Sequence, residues 1–267
     1  MTTEASLELA ERVYSLVACA AGQSDVRAAV EANHDDNRWW PLSVSDWRVR
    51  MTVAGWSTRV SYAMIETYSD VVAQADALGW ATLTAMDDNA VGALVRPLGL
   101  IASRIGYFRS LAGFVSGAEA AGTDLADMRA GNLVELLEAG IRGAGYKVAQ
   151  CAALYACGYH CGIIPVDSGM VTRLAPFLGI PLGSGPAAHE QLRQTLESGT
   201  TAMADRYKDL AARLGYRVRI PDDTDPTWFV HLVLIYFKRL YLNHPGPRLC
   251  RLRPACDTFL DCGCLTS

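Results

Sequence analysis

Two glycines, Gly143 and Gly145, stand between two apolar helical runs and force a tight helix–helix turn in the middle of the chain. The first run places Leu133, Leu136, Leu137 and Ile141 at helical spacing and breaks at Gly140. The second carries Lys147 in its first turn and Val148, Cys151, Ala152 and Tyr155 on the face expected to point inward. Without Cβ atoms, the Gly143-Ala144-Gly145 backbone can bring its N–H groups close to an outside surface. Those amides, backed by the positive end of the second helix, make a site for an anion such as a phosphodiester. Twenty residues beyond Lys147, Pro165-Val166-Asp167-Ser168 reads as the N-cap of a further helix.

The flanks are helical too. Leu7, Ala10, Val13, Leu16 and Val17 define an N-terminal helix that ends at Gly22. A polar stretch through Trp39-Trp40-Pro41 follows, and there the tryptophans either cover an apolar surface or stack on bases. His34 beside Asp35 and Asp36 reads as a metal corner or, more simply, as a solvated loop. Periodicity resumes at Asp46 and continues through amphipathic helices to residue 95. Then comes Gly99-Leu100-Ile101-Ala102-Ser103-Arg104, read as a C-cap glycine followed by an N-capping Ser103. His189 to Ser198 is a polar-faced helix, and Gly199 to Asp225 a charged insertion, either solvated surface or an added DNA-contacting or gating element. Trp228 to Tyr241 is apolar nearly all round, which describes a buried helix containing His231 as a core histidine.

Ile-x-Gly-Ala-Gly-x-Lys followed by Val-Asp-Ser resembles the helix-hairpin-helix DNA glycosylases of the endonuclease III type. The Gly-Leu-x-x-Ser-Arg segment is similar to that family's turn ahead of the hairpin, and the likeness covers roughly Asp46 to Cys264. It implies an all-α fold of two lobes. One is a helical barrel over 46–164 with the hairpin at about 133–155; the other combines 1–45 with 165–267. It also implies excision of a damaged base from double-stranded DNA, with strand nicking at the abasic site by a monomeric enzyme.

The family places its catalytic lysine at the position of Lys147 and its catalytic aspartate at Asp167, expected at the cleft between lobes. DNA contacts carried over are the Gly143-Ala144-Gly145 amides, Arg251 and Arg253. Trp56 is carried over as well, where the family has a glutamine that enters the duplex as the base leaves. A wedge and an ordinary core tryptophan are both open for Trp56. For Lys147 the plainer reading is a phosphate contact. The gap from Lys147 to Asp167 is a couple of residues longer than the family's, and Thr172 stands where an arginine often follows the aspartate.

Four cysteines within fifteen residues, Cys250, Cys256, Cys262 and Cys264, resemble the loop that holds a [4Fe–4S] cluster in those enzymes. Their gaps of five, five and one residues depart from the family's spacing, and Phe259 occupies the third ligand's place. A zinc site and no metal at all are the alternatives. Cys151, Cys157 and Cys161 read as small core residues.

Composition limits the rest. At 267 residues, 51% of them hydrophobic, the chain is long enough for one large core or two helical lobes. No apolar run reaches the ~18 residues of a spanning helix. The N-terminus lacks a basic region, so a cytoplasmic protein with no membrane partner is expected, its eight cysteines serving as thiols or metal ligands. A net charge of −4 weighs against a nucleic-acid partner, although a local basic face is enough for one. It keeps two rivals open: a non-catalytic lesion- or structure-binding protein, and a glycosidase acting on a free nucleoside-like metabolite.

Overall fold

The computed structural model describes residues 3–39 and 43–243, and these are all-α, with no strand among them. In chain order the helices are α1 (Thr3–Ala21), α2 (Ser24–Glu31), α3 (Trp47–Trp56), α4 (Ile65–Ala85), α5 (Asp88–Val95), α6 (Ile101–Ala120), α7 (Ala130–Gly140), α8 (Tyr146–Cys157), α9 (Ala175–Phe177), α10 (Ala187–Ala202), α11 (Ala204–Arg213) and α12 (Thr227–Phe237). A π-helical turn, Met170–Leu174, leads into α9, and a second, Lys238–Leu242, continues α12. No described helix is long and apolar enough to cross a membrane. The described chain divides into two compact units, one formed by Asp36–Cys161 and the other by the described parts of Met1–Asp35 and Gly162–Ser267.

In the unit of Asp36–Cys161, α3 is the central element. Asp46 caps it by accepting the Arg48 N–H at 2.9 Å, and from Met51 to Trp56 every residue is buried. Helices α4, α6 and α8 pack around it. Two buried tyrosines satisfy their hydroxyls on α3 carbonyls: Tyr68 donates to Val53 O and Tyr107 to Met51 O, each at 2.8 Å. Gly55 is obligatory for this packing, because a Cβ there would lie 2.1 Å from the Tyr107 ring. Arg50 gathers the last carbonyls of α8, donating to Tyr155 O at 2.6 Å and Ala156 O at 3.0 Å, a cation where the helix dipole is negative.

The unit begins ahead of Asp46, where the sequence pattern placed the lobe boundary. Asn37 N–H donates to the Tyr159 hydroxyl at 2.8 Å, Arg50 donates to Val44 O at 3.1 Å, and Trp39 lies against Tyr68 with ring centroids 5.1 Å apart. One short-range bond to α3 and one long-range bond to the segment after α8, both invisible to periodicity, attach these residues to the unit.

In the other unit α12 is the core, buried at every residue except His231, which stacks on Trp228 at 5.4 Å. Helix α1 packs on α10 closely enough that Gly199 stands against Ala10, where an added Cβ would meet the Ala10 backbone at 3.6 Å. His34 is fully buried; its Nδ1 meets Asp35 Oδ1 at 2.7 Å and its carbonyl accepts the Trp228 indole N–H at 2.8 Å. Burial lowers its pKa and favours the neutral ring. His34 is therefore a core residue, not part of a solvated loop, and no group of three metal-binding side chains occurs among the described residues.

The charged insertion resolves into α11 and a strap. Arg27 donates to Leu214 O at 2.7 Å, Tyr216 OH to Ala21 O at 2.8 Å, and Arg217 N–H to Glu31 Oε1 at 3.0 Å. The Arg219 N–H reaches Asp35 at 3.0 Å. These bonds fasten the strap along α2 and the turn after it.

Candidate nucleic-acid interface and carboxylate site

The central turn forms in a few bonds. Ile141 ends α7 in extended conformation, Gly143 takes φ +85°, and Ala144 N–H closes on Ile141 O at 3.0 Å. Gly143 is the position where a left-handed backbone requires glycine. Ser110 on α6 accepts the Arg142 N–H at 2.9 Å and fixes the turn from below. Ala144 is buried, while Gly143 and Gly145 are exposed. Gly145 occupies the N-cap of α8 at φ −62° with no side chain capping it and nothing within 4 Å of where its Cβ would be. The first-turn amides of α8 therefore have no capping side chain at this helix end. Helix α8 is held by burial of every residue from Val148 to Ala156, packed on α3 and α7. Gly143, Gly145 and the half-buried Lys147 thereby lie together at this end of α8, with Ala144 buried beneath them.

Trp56 does not join it. The side chain is fully buried, with its ring 5.9 Å from Phe108 and its Nε1 donating to Arg104 O at 3.3 Å, so it is a core residue and not a wedge. Leu136 departs from expectation the other way: it is 43% exposed, so the inward face of α7 is Leu133, Val134 and Leu137.

Ser103 does not cap α6. The helix starts at Ile101, with Leu100 as N-cap in a left-handed conformation at φ +48°. Arg104, 2% exposed, faces back across the turn. Its guanidinium donates to Gly99 O at 2.8 Å, Leu98 O at 2.9 Å, Thr58 O at 3.1 Å and also to Trp56 O. One buried arginine therefore ties the loop entering α6 to the turn leaving α3. Each loop displays an exposed non-glycine residue at positive φ: Leu100 on one and Arg59, at φ +57°, on the other. Strained, exposed side chains of this kind cluster at functional sites. Sequence reasoning passed over both, since φ is not legible from a Leu or an Arg. Along α6, Leu100 and Ser110 are roughly 15 Å apart by helical rise.

Asp167 belongs to the other unit. Its Oδ1 accepts the Met170 N–H at 2.8 Å, an N-cap bond to the turn it precedes. Its Oδ2 pairs with the Nζ of Lys238, whose side chain is 5% exposed against 31% for the aspartate. The loop leading to Asp167 is held by Glu197, which accepts the Ile164 N–H at 2.9 Å. Glu197 and Glu190 grip Arg193, at 2.5 Å from Nη1 and 2.8 Å from Nε respectively. Burial pushes the Glu197 carboxyl up to about 7, while the Arg193 guanidinium beside it acts in the opposite sense. Lys238 was missed in the sequence, yet it had a signal: a lysine directly continuing a helix that is apolar nearly all round needs a partner if it is buried.

Cys250, Cys256, Cys262 and Cys264, with Arg251, Arg253 and Trp40, lie outside the described residues. Cys151 is a buried core residue of α8, whereas Cys157 and Cys161 are only half-buried; burial still pushes the Cys157 thiol up to about 11. No model of a known protein family matches the chain, and no curated protein matches it in sequence.

Proposed function

We propose that the chain is a two-lobed helix-hairpin-helix DNA glycosylase that excises a damaged base from duplex DNA and nicks the strand at the abasic site. The observation that carries this reading is the uncapped start of α8, where Gly143 and Gly145 are exposed and Lys147 stands in the first helical turn. Free amides and a helix N-terminus favour a phosphodiester. The lysine that follows is then within reach of the sugar.

Cleaving the N-glycosidic bond leaves cationic character on the sugar, which a fixed carboxylate stabilises; Asp167 takes that role. The neutral Lys147 amine attacks C1′ and the base departs with the bonding electrons and a proton. The nitrogen lone pair then expels the ring oxygen O4′, which takes a proton, and leaves a protonated imine; loss of a C2′ proton with departure of the 3′ phosphate breaks the strand by β-elimination. Extruding the base costs a few kcal/mol, least for a damaged or mispaired one. With Trp56 in the core, the exposed apolar Leu100 is the side chain suited to fill the vacated stack. The cysteine tail would hold a [4Fe–4S] cluster through thiolates, and no step above passes through it.

A non-catalytic DNA-binding protein is the second reading, favoured by the Lys238 partner that already occupies Asp167. Borohydride added during reaction with an abasic-site duplex separates the two. A lyase leaves a covalent adduct that Lys147→Gln abolishes, because an amide forms no imine. Excision without an adduct makes the protein a monofunctional glycosylase with Lys147 on phosphate, and neither adduct nor excision leaves the binder.

A further inference from the structure

We propose that Lys238 is a positioning residue for Asp167, an inference that rests on the glycosylase reading for the carboxylate's role but not for the geometry. The ammonium sits on a side chain 5% exposed, directly after the buried helix α12 and beside Arg239 in a turn otherwise aliphatic and aromatic. Stripping a lysine of water is unfavourable, and the ion pair regains at best part of that loss. Apolar residues of the same volume commonly give equal or greater stability at such a place. Stability is therefore a poor reason for the pair, whereas fixing a carboxylate is a good one.

The geometry does fix it. Oδ1 is engaged by the Met170 N–H and Oδ2 by Lys238, so bonds from two different elements act on two different oxygens and allow the carboxylate one orientation. The side chain still keeps 31% of its surface open. Both elements carry a π-helical turn at this contact, Met170–Leu174 and Lys238–Leu242. Such turns are rare and concentrate at functional sites, where the extra residue re-aims a side chain. The turns are tied a second time, by Arg173 donating to Leu242 O at 3.0 Å and Asn243 Oδ1 at 3.3 Å. Gly169 leaves room for the pair, since a Cβ there would stand 3.0 Å from Lys238 Nζ and 3.3 Å from Asp167 Oδ1.

The test uses the full chain with Lys238→Met, which keeps an unbranched stem and removes the ammonium. Three quantities are read: the Asp167 side-chain rotamer from three-bond NMR couplings, duplex affinity, and single-turnover excision of a damaged base. Wild type is expected to show one rotamer and the variant an average. Affinity should hold within about twofold while excision falls on the order of a hundredfold, the effect of misplacing a reacting group by about 1 Å. If Lys238→Met does not fold, Gly169→Ala serves instead, because its Cβ displaces the pair with both charges retained. An averaged rotamer in wild type, or a single one surviving in the variant, overturns the proposal, as do equal losses of affinity and excision. A wild type that excises nothing, while the variant still loses the rotamer, overturns the glycosylase reading and upholds the positioning role.

Discussion

Trp56 and Arg104 hold one another by their backbones: the indole N–H of Trp56 donates to Arg104 O, and the guanidinium of Arg104 donates to Trp56 O. The bond in one direction seats the tryptophan in the core; the other, with three more carbonyls, clamps two surface loops. A residue carried over as a DNA wedge is thus part of the mount for Leu100 and Arg59.

Arg104→Leu is expected to destabilise the protein by on the order of 3 kcal/mol, because four carbonyls lose a charged donor at once. Arg104→Lys should recover little of this, since one ammonium cannot serve four acceptors spread over two loops. Urea denaturation measures both. Trp56→Phe should lose about 1 kcal/mol and leave duplex affinity unchanged. A Trp56→Phe protein of native stability but weakened DNA binding would show that the tryptophan reaches the duplex after all.

Gly145→Asp separates folding from anion binding. The position has an N-cap conformation that aspartate favours and open space around it, so stability should hold or rise by roughly a few tenths of a kcal/mol. Duplex affinity should fall at least tenfold, about 1.4 kcal/mol, because a carboxylate takes the phosphate's place. Unchanged affinity would mean that the hairpin faces away from DNA. In wild type, contact with about six phosphates gives a log–log salt slope of roughly −5, whereas an enzyme of free nucleosides is nearly salt-blind.

Acid should weaken the unit that contains the strap. The Arg217 backbone N–H, with Arg27 and the Arg217 side chain, holds the Glu31 carboxyl down at about 2 against an ordinary 4.5. A depressed carboxylate contributes stability that is present above pH 4.5 and is lost as pH falls toward 2. Buried His34 has the same sign, its contribution fading as pH drops below 6.5 and the unfolded ring takes a proton. Glu197 has the opposite sign: raised to about 7, it contributes below pH 4.5 and loses that contribution as pH rises through 7. Urea midpoints across pH 3–8 should flatten at the acid end in Glu31→Gln and at the neutral end in Glu197→Gln. Variants that track wild type at both ends would remove these groups from the pH dependence.

Protein purified without oxygen should be brown and contain iron and acid-labile sulfide in proportion, with Cys256→Ser losing both. Zinc in place of iron would assign the tail to a tetrahedral thiolate site. Metal-free protein would end the cluster expectation.

Local chemistry was legible where the relevant interactions are short in sequence. Gly143 and Gly145 marked the turn, the Val148 to Tyr155 face marked α8, and Asp167 marked a helix start, since periodicity, backbone permissiveness and capping act within a few residues. What the sequence alone determined is therefore a helical chain with a glycine turn ahead of α8. Only the tertiary structure decided which apolar residues are inside. Trp56 went to the core and Leu136 to the surface, because burial depends on which helix packs against which face. It also decided the partners of charge. Arg104 found four carbonyls, Lys238 found Asp167 from 71 residues away, and the strap's Arg217 found Glu31 from 186. Nothing along the chain encodes such pairings locally; a buried charge takes whatever counter-group the packing brings within reach, because leaving it alone in an apolar interior is the one arrangement the fold cannot sustain.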